Sequence, residues 1–158
     1  KIINQIEYTV VDNQTIKVEF LNIYVNLCTT LVNDMSELFS NNITFNTDIS
    51  FWDTSNVIQM DKMFFNASTF NKDVGDWDTS KVNSMTGMFR ESIQFNSDIS
   101  KWDTSNVIAM SYMFKDASVF NQNLSDWCVE NIPQEPSDFA EGSILFEVNK
   151  PIWGTCPD

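Results

Sequence analysis

Phe70-Asn71-Lys72-Asp73-Val74-Gly75-Asp76-Trp77-Asp78-Thr79-Ser80-Lys81-Val82, continued by Met85, Met88, Phe89 and Ser92, decides how this chain folds, because the chain says it three times. Upstream, Phe45-Asn46-Thr47-Asp48-Ile49-Ser50-Phe51-Trp52-Asp53-Thr54-Ser55-Asn56-Val57 leads into Met60, Met63, Phe64 and Ala67. Downstream, Phe95-Asn96-Ser97-Asp98-Ile99-Ser100-Lys101-Trp102-Asp103-Thr104-Ser105-Asn106-Val107 leads into Met110, Met113, Phe114 and Ala117. The step is 25 residues each time, without insertion. Self-similarity at such a period is the signature of a stacked repeat architecture.

Degenerate copies flank the three strong ones. Going back one step, Trp52 maps to Leu27, Val57 to Val32, and Met60-Met63-Phe64 to Met35-Leu38-Phe39. Going forward, Phe120-Asn121-Gln122-Asn123-Leu124-Ser125-Asp126-Trp127 opens a further unit that departs from the pattern at Cys128, Pro133 and Pro136. The register gives units at 20–44, 45–69, 70–94, 95–119 and 120–144, with an N-terminal cap at 1–19 and a C-terminal cap at 145–158. Atypical end units are expected where a stack meets water.

Within a unit, Val57, Met60, Met63, Phe64 and Ala67 follow one face of a 3.6-residue period, which predicts a helix. Asp53-Thr54-Ser55 stands where its side chains can cap the first turn. Asp48-Ile49-Ser50-Phe51-Trp52 reads as a short strand. The expected fold class is therefore an α/β repeat solenoid, a leucine-rich-repeat-like stack of about five strand–helix units. An all-β solenoid is the weaker alternative, set aside on the helical spacing. At the N-terminus, 7–11 reads as a strand and Asp12 as the N-cap of a short helix reaching about Leu21, with a hairpin at Asp12-Asn13 as the rival.

Composition limits function. Twenty-two acidic against nine basic residues leave a formal charge of −13. No basic cluster exists to neutralise phosphates, which argues against nucleic acid and anionic membranes. Histidine is absent, so the commonest general base and zinc ligand is missing. No stretch approaches the roughly 18 apolar residues of a membrane span. The chain opens on Lys1, read as a piece of something longer whose targeting signal lies elsewhere. Of three cysteines, Cys128 and Cys156 bracket the last segment; their disulfide would close a loop of about 28 residues, stabilise the cap by roughly 3 kcal/mol and imply an oxidising compartment. Cys28, four units before Cys128, is expected unpaired and half-buried.

The phrase Phe-Asn-x-Asp-Ile-Ser-x-Trp-Asp-Thr-Ser-Asn-Val-x-x-Met-x-x-Met-Phe-x-x-Ala resembles the 25-residue repeat of BspA-like surface proteins, found in mycoplasma surface lipoproteins and secreted proteins of marine bacteria. The likeness covers roughly 20–144. The ending from Trp127-Cys128 to Cys156-Pro157 looks like that family's closing cap, and Tyr8-Thr9-Val10-Val11-Asp12 like its opening. The resemblance implies a leucine-rich-repeat-like solenoid, secreted or on a cell surface, with adhesion or matrix binding as its role and no known catalytic residues.

Four columns of side chains are candidates for chemistry. Asp48, Asp73 and Asp98, and separately Asp53, Asp78 and Asp103, would stack about 4.8 Å apart; hydrogen bonding to local amides and hydroxyls is favoured over calcium as what compensates them. Asn46, Asn71, Asn96 and Asn121 read as an inward amide ladder rather than a sugar-binding stripe. Trp52, Trp77, Trp102 and Trp127 read as core rather than a stacking platform, and the methionines as core fillers. Ligand specificity is expected where otherwise matched units differ: Phe51, Asp76 and Lys101 in one column, Phe65, Arg90 and Lys115 in another. Phe51 and Phe65 stand out because their counterparts are polar. Sequons occur at Asn13, Asn42, Asn66 and Asn123. The functional expectation is an extracellular or cell-surface binding or adhesion module, without a cofactor and not an enzyme, that recognises a protein or glycan through its solenoid face. A ligandless structural spacer and a carboxylate-based glycan hydrolase are the rivals.

Overall fold

The computed structural model describes residues 2–3, 6–7, 9–16 and 27–157. Its regular elements are few. β1 (Ile2–Ile3) and β2 (Ile6–Glu7) form an antiparallel pair, and β3 (Thr9–Asp12) runs parallel to β4 (Leu27–Leu31). Near the end of the described residues a 3₁₀ turn spans Glu147–Asn149.

The strand–helix unit is wrong. Among the described residues from 27 to 157 there is no α-helix, so the chain is not an α/β solenoid and not leucine-rich-repeat-like. The segment expected to be helical is a run of tight turns, in which Met63 donates to Met60, Phe65 to Lys62, Ala67 to Phe64 and Phe70 to Ala67 through backbone bonds of 3.0–3.2 Å. The intervening amides point along the stack. Met60, Lys62, Phe64 and Asn66 donate to Ser84, Thr86, Met88 and Arg90 of the next coil at 2.8–3.0 Å. Every second amide thus closes a turn and every other one joins two coils, so the backbone is satisfied without helix or sheet.

Two positions per coil explain why the helix loses. Glu37, Lys62, Gly87 and Tyr112 share one column, Asn41, Asn66, Glu91 and Asp116 the other, and all have φ between 53° and 63°. Left-handed residues cannot occur inside a right-handed helix. A chain of four-residue turns returns its side chains inward about every three residues, so spacings of three, three, one and three suit it as well as a helix. The expected strand is also absent. Beyond β4, parallel pairing among the described residues is reduced to single bridges linking Asp34, Gln59, Ser84 and Ala109, just before the methionines, while 48–52 is turn and irregular chain.

The driving force is burial of like against like. Phe64, Phe89 and Phe114 have ring centroids 5.3 and 5.8 Å apart, and Phe70, Phe95 and Phe120 6.0 and 5.7 Å. The two columns also interleave within each coil, with Phe89 to Phe95 at 3.8 Å. The valines, methionines and tryptophans of the repeat are buried with them. Each fully buried phenylalanine contributes about 1.5–3 kcal/mol relative to exposure. Three of the indoles carry one bond across the stack: Trp77 Nε1 donates to Ile49 O, Trp102 to Val74 O and Trp127 to Ile99 O, at 2.9–3.2 Å.

The ends differ. Asp12 caps locally, its Oδ1 accepting from the amides of Gln14 and Thr15 at 3.0 Å. The short helix expected beyond it falls mostly on 17–21, outside the described residues, as do Phe20 and the side chain of Cys28. At the other end Phe139 turns edge-on, at 90° to Phe114 and 82° to Trp153, and ends the parallel stacking. Cys128 and Cys156 are disulfide-bonded across 28 residues.

Candidate binding surface

The repeated polar residues are engaged in holding the coils. Asp48 accepts from Ser50 N, Asp73 from Gly75 N and Asp98 from Ser100 N, at 2.9–3.0 Å. Asp53, Asp78 and Asp103 accept from both the amide and the hydroxyl of the serine two residues on. These are Asx turns, not helix caps. The bond to the Ser50 amide lowers the Asp48 pKa and that to the Ser100 amide lowers Asp98, while the serine hydroxyls of Ser55 and Ser80 do the same for Asp53 and Asp78. No group of three His, Cys, Asp or Glu among the described residues is placed to hold a metal ion.

The asparagine column is a ladder at the surface rather than inside. Asn46, Asn71 and Asn96 each accept, through Oδ1, the backbone amide of the asparagine one coil on, at 2.9–3.0 Å, and Asn121 accepts from Phe146 N. The sequon side chains are also engaged, Asn13 with Asn33 and Asn66 with Asn41, and Asn42 and Asn123 accepting from Thr44 and Ser125.

What remains for a partner is the set of positions that vary. Phe65 and Arg90 come together: the Arg90 guanidinium lies 5.4 Å from the centre of the Phe65 ring and 6.0 Å from that of Tyr112. Lys115 lies 5.9 Å from the Tyr112 ring and forms ion pairs with Asp138 at 2.6 Å and Glu141 at 2.7 Å. The hydrogen bonds that Lys115 donates to these two carboxylates, Asp138 first, hold its ammonium above the usual lysine range, and the bond from Lys115 pulls the Asp138 carboxyl down. Arg90 also contacts Glu91 at 3.1 Å. The result is an ordered ridge of alternating cations and rings across three coils. Phe51, Asp76 and Lys101 form a separate column, 11 or 14 residues from those positions along the chain; Asp76 and Lys101 are 3.9 Å apart and well exposed. A pair of that kind contributes little.

Tyr112, Asp138 and Glu141 were missed in the sequence. Tyr112 hides in the column of Lys62 and Gly87. The two acids hide because the fifth coil carries one extra residue: Phe89 donates to Met113, 24 ahead, but Phe114 donates to Phe139, 25 ahead. Ile132 still keeps the valine register in the core, so the extra residue lies in the Pro133–Pro136 stretch.

The family model described as Mycoplasma protein of unknown function, DUF285, matches twice, over residues 9–127 and 33–152. This chain belongs to that family. The DUF285 matches overlap and are displaced by about one coil, as expected of a backbone whose pattern maps onto itself after 25 residues. No curated protein and no solved structure matches the chain.

Proposed function

We propose that this DUF285 chain is an extracellular or cell-surface binding module that recognises a protein or glycan, and that the ridge of Phe65, Arg90, Tyr112 and Lys115 is its contact face. The observation that carries this reading is the division of labour among side chains. Repeated residues are occupied in stacking and hydrogen bonding, whereas the ridge gathers non-repeated aromatic and cationic groups on three successive coils. Cations set over rings are enriched where proteins meet partners. The resemblance to BspA-like surface proteins and the Cys128–Cys156 disulfide support an oxidising, outside location. No helix of the described residues is long and apolar enough to cross a membrane. A catalytic reading is disfavoured: glycan hydrolysis needs one carboxyl with a raised pKa, and the described aspartates with a resolved shift are all lowered.

The test is a screen of the purified chain on glycan and matrix-protein arrays, with and without EDTA, beside the double variant Phe65→Ser, Arg90→Ala. Signals lost in the variant and kept under EDTA are expected. Signals equal in the variant would refute the ridge, and a blank array under all conditions would favour the spacer.

A further inference from the structure

At the fifth coil the backbone bonding between coils departs from the rule that the preceding coils follow. In the preceding coils, each residue just before the bridging column receives an amide from the next coil: Ile58 N donates to Asn33 O at 2.8 Å, and Asn83 N to Ile58 O and Ile108 N to Asn83 O at 2.9 Å. Two residues on, Met35, Met60 and Met85 donate to Gln59, Ser84 and Ala109 at 2.9–3.0 Å. The next turn of this pattern calls for residue 133 to donate to Ile108 O. Residue 133 is proline and has no N–H. With the extra residue, the Pro133–Pro136 segment bows away. Met110 N has no hydrogen-bond partner although Met110 is 0% exposed, and Ile108 O accepts none. Between the two segments lies an open groove of about 320 Å³, lined by Ile108, Met110, Ile132, Pro133, Glu135 and Pro136 among others. Met35, Met60 and Met85, the other members of the Met110 column, all make the bond that Met110 lacks.

We propose that this groove takes an extended peptide of a partner protein, whose main chain supplies the two missing bonds: one amide to Ile108 O and the next carbonyl to Met110 N. This is strand addition to an exposed backbone edge, and the coils themselves show the occupant's shape, since Gln59, Ser84 and Ala109 fill the equivalent slot. Ile108, 65% exposed, and the two prolines offer apolar walls for its side chains. The chain's charge of −13 selects a peptide carrying Lys or Arg on either side of the inserted residues. The groove is independent of the ridge, although Ser111 and Ser137 at its edge adjoin Tyr112 and Asp138 in the chain.

The probe is a capped peptide of alternating Thr and Val flanked by lysines, added to the isotope-labelled full chain. Amide exchange in the free protein should be at least several-fold faster at Met110 than at Met85. Peptide should shift the Met110 amide signal and slow its exchange up to about tenfold, the range a single buried hydrogen bond supplies. The same peptide N-methylated at its central residues should do neither. Pro133→Val, which restores the chain's own donor, should protect Met110 and abolish peptide binding, while Phe65→Ser, Arg90→Ala should keep it. No response at Met110, or an equal response to the N-methylated peptide, overturns the proposal. Protection that grows with protein concentration alone overturns the partner and gives the slot to a second copy.

Discussion

Gly87→Ala separates the turn-built coil from the helix that the spacing of its neighbours suggests, because the two predict opposite signs. Gly87 has φ +62°, and an added Cβ meets only Lys62 Cγ at 3.4 Å and Arg90 Cβ at 4.0 Å. Space is therefore adequate, and the cost is conformational. A left-handed L-residue costs roughly 1–2 kcal/mol, and the lost freedom of the unfolded chain returns about 0.4–1 kcal/mol. Net destabilisation of about 1 kcal/mol is expected, or a melting temperature about 2–4 °C lower for a chain of this length. In a helix the same change would stabilise by about 0.5–1 kcal/mol. Urea unfolding of the two proteins side by side, read as a midpoint shift at unchanged slope, measures it. A more stable Gly87→Ala, or a far-ultraviolet spectrum with helical minima, would refute the reasoning.

Trp102→Phe removes the donor to Val74 O and should cost about 1–3 kcal/mol in denaturant unfolding; Trp52→Phe should cost less, because the Trp52 Nε1 has no hydrogen bond to lose. Breaking the Cys128–Cys156 bond, by a reductant or by Cys156→Ala, releases a separation of 28 residues and should lower stability by about 3 kcal/mol in the same assay. Acid should destabilise. The Asp48, Asp53, Asp78 and Asp98 carboxyls are depressed below 3.8 by their serine partners, so their contribution is complete above the unfolded-state value and disappears as pH falls through the folded values. Melting temperatures followed downward from pH 5 should therefore drop steeply below about pH 4, and Asp78→Asn should flatten that drop.

How much of this was legible follows from which residues spoke unambiguously. The period and the inward set were plain: Trp77, Met85 and Phe89 have no alternative to burial once they recur in register. Local conformation was not, since an apolar spacing records which side chains turn inward and leaves the path between them open. The decisive signal was present in the column of Asn41, Asn66 and Asp116, residues that tolerate left-handed backbone, and in Gly87. On the expected helix Gly87 would sit in the interior, where glycine is a poor member, while Asn66 and Asp116 would sit at its end. The surface was legible in part. Phe65 and Arg90 belong to one of the columns that vary and do meet, whereas in the other, Asp76 and Lys101 make only a long, exposed ion pair. Asp138 and Glu141 could not be aligned, because one inserted residue displaced them from their columns.

The bonds between coils have one further consequence. As most of the backbone bonds link residues at a fixed offset of 24 or 25, an inner coil meets above and below it nearly what its neighbours meet. Length is then a free variable: a whole unit added or removed would leave every surviving bond type intact, and the reach of the molecule would change by one increment of about 4.8 Å. Fractions of a unit have no such freedom. Pro133 and the surplus residue beside it show why, for together they unhitch an amide and a carbonyl that the preceding coils keep joined.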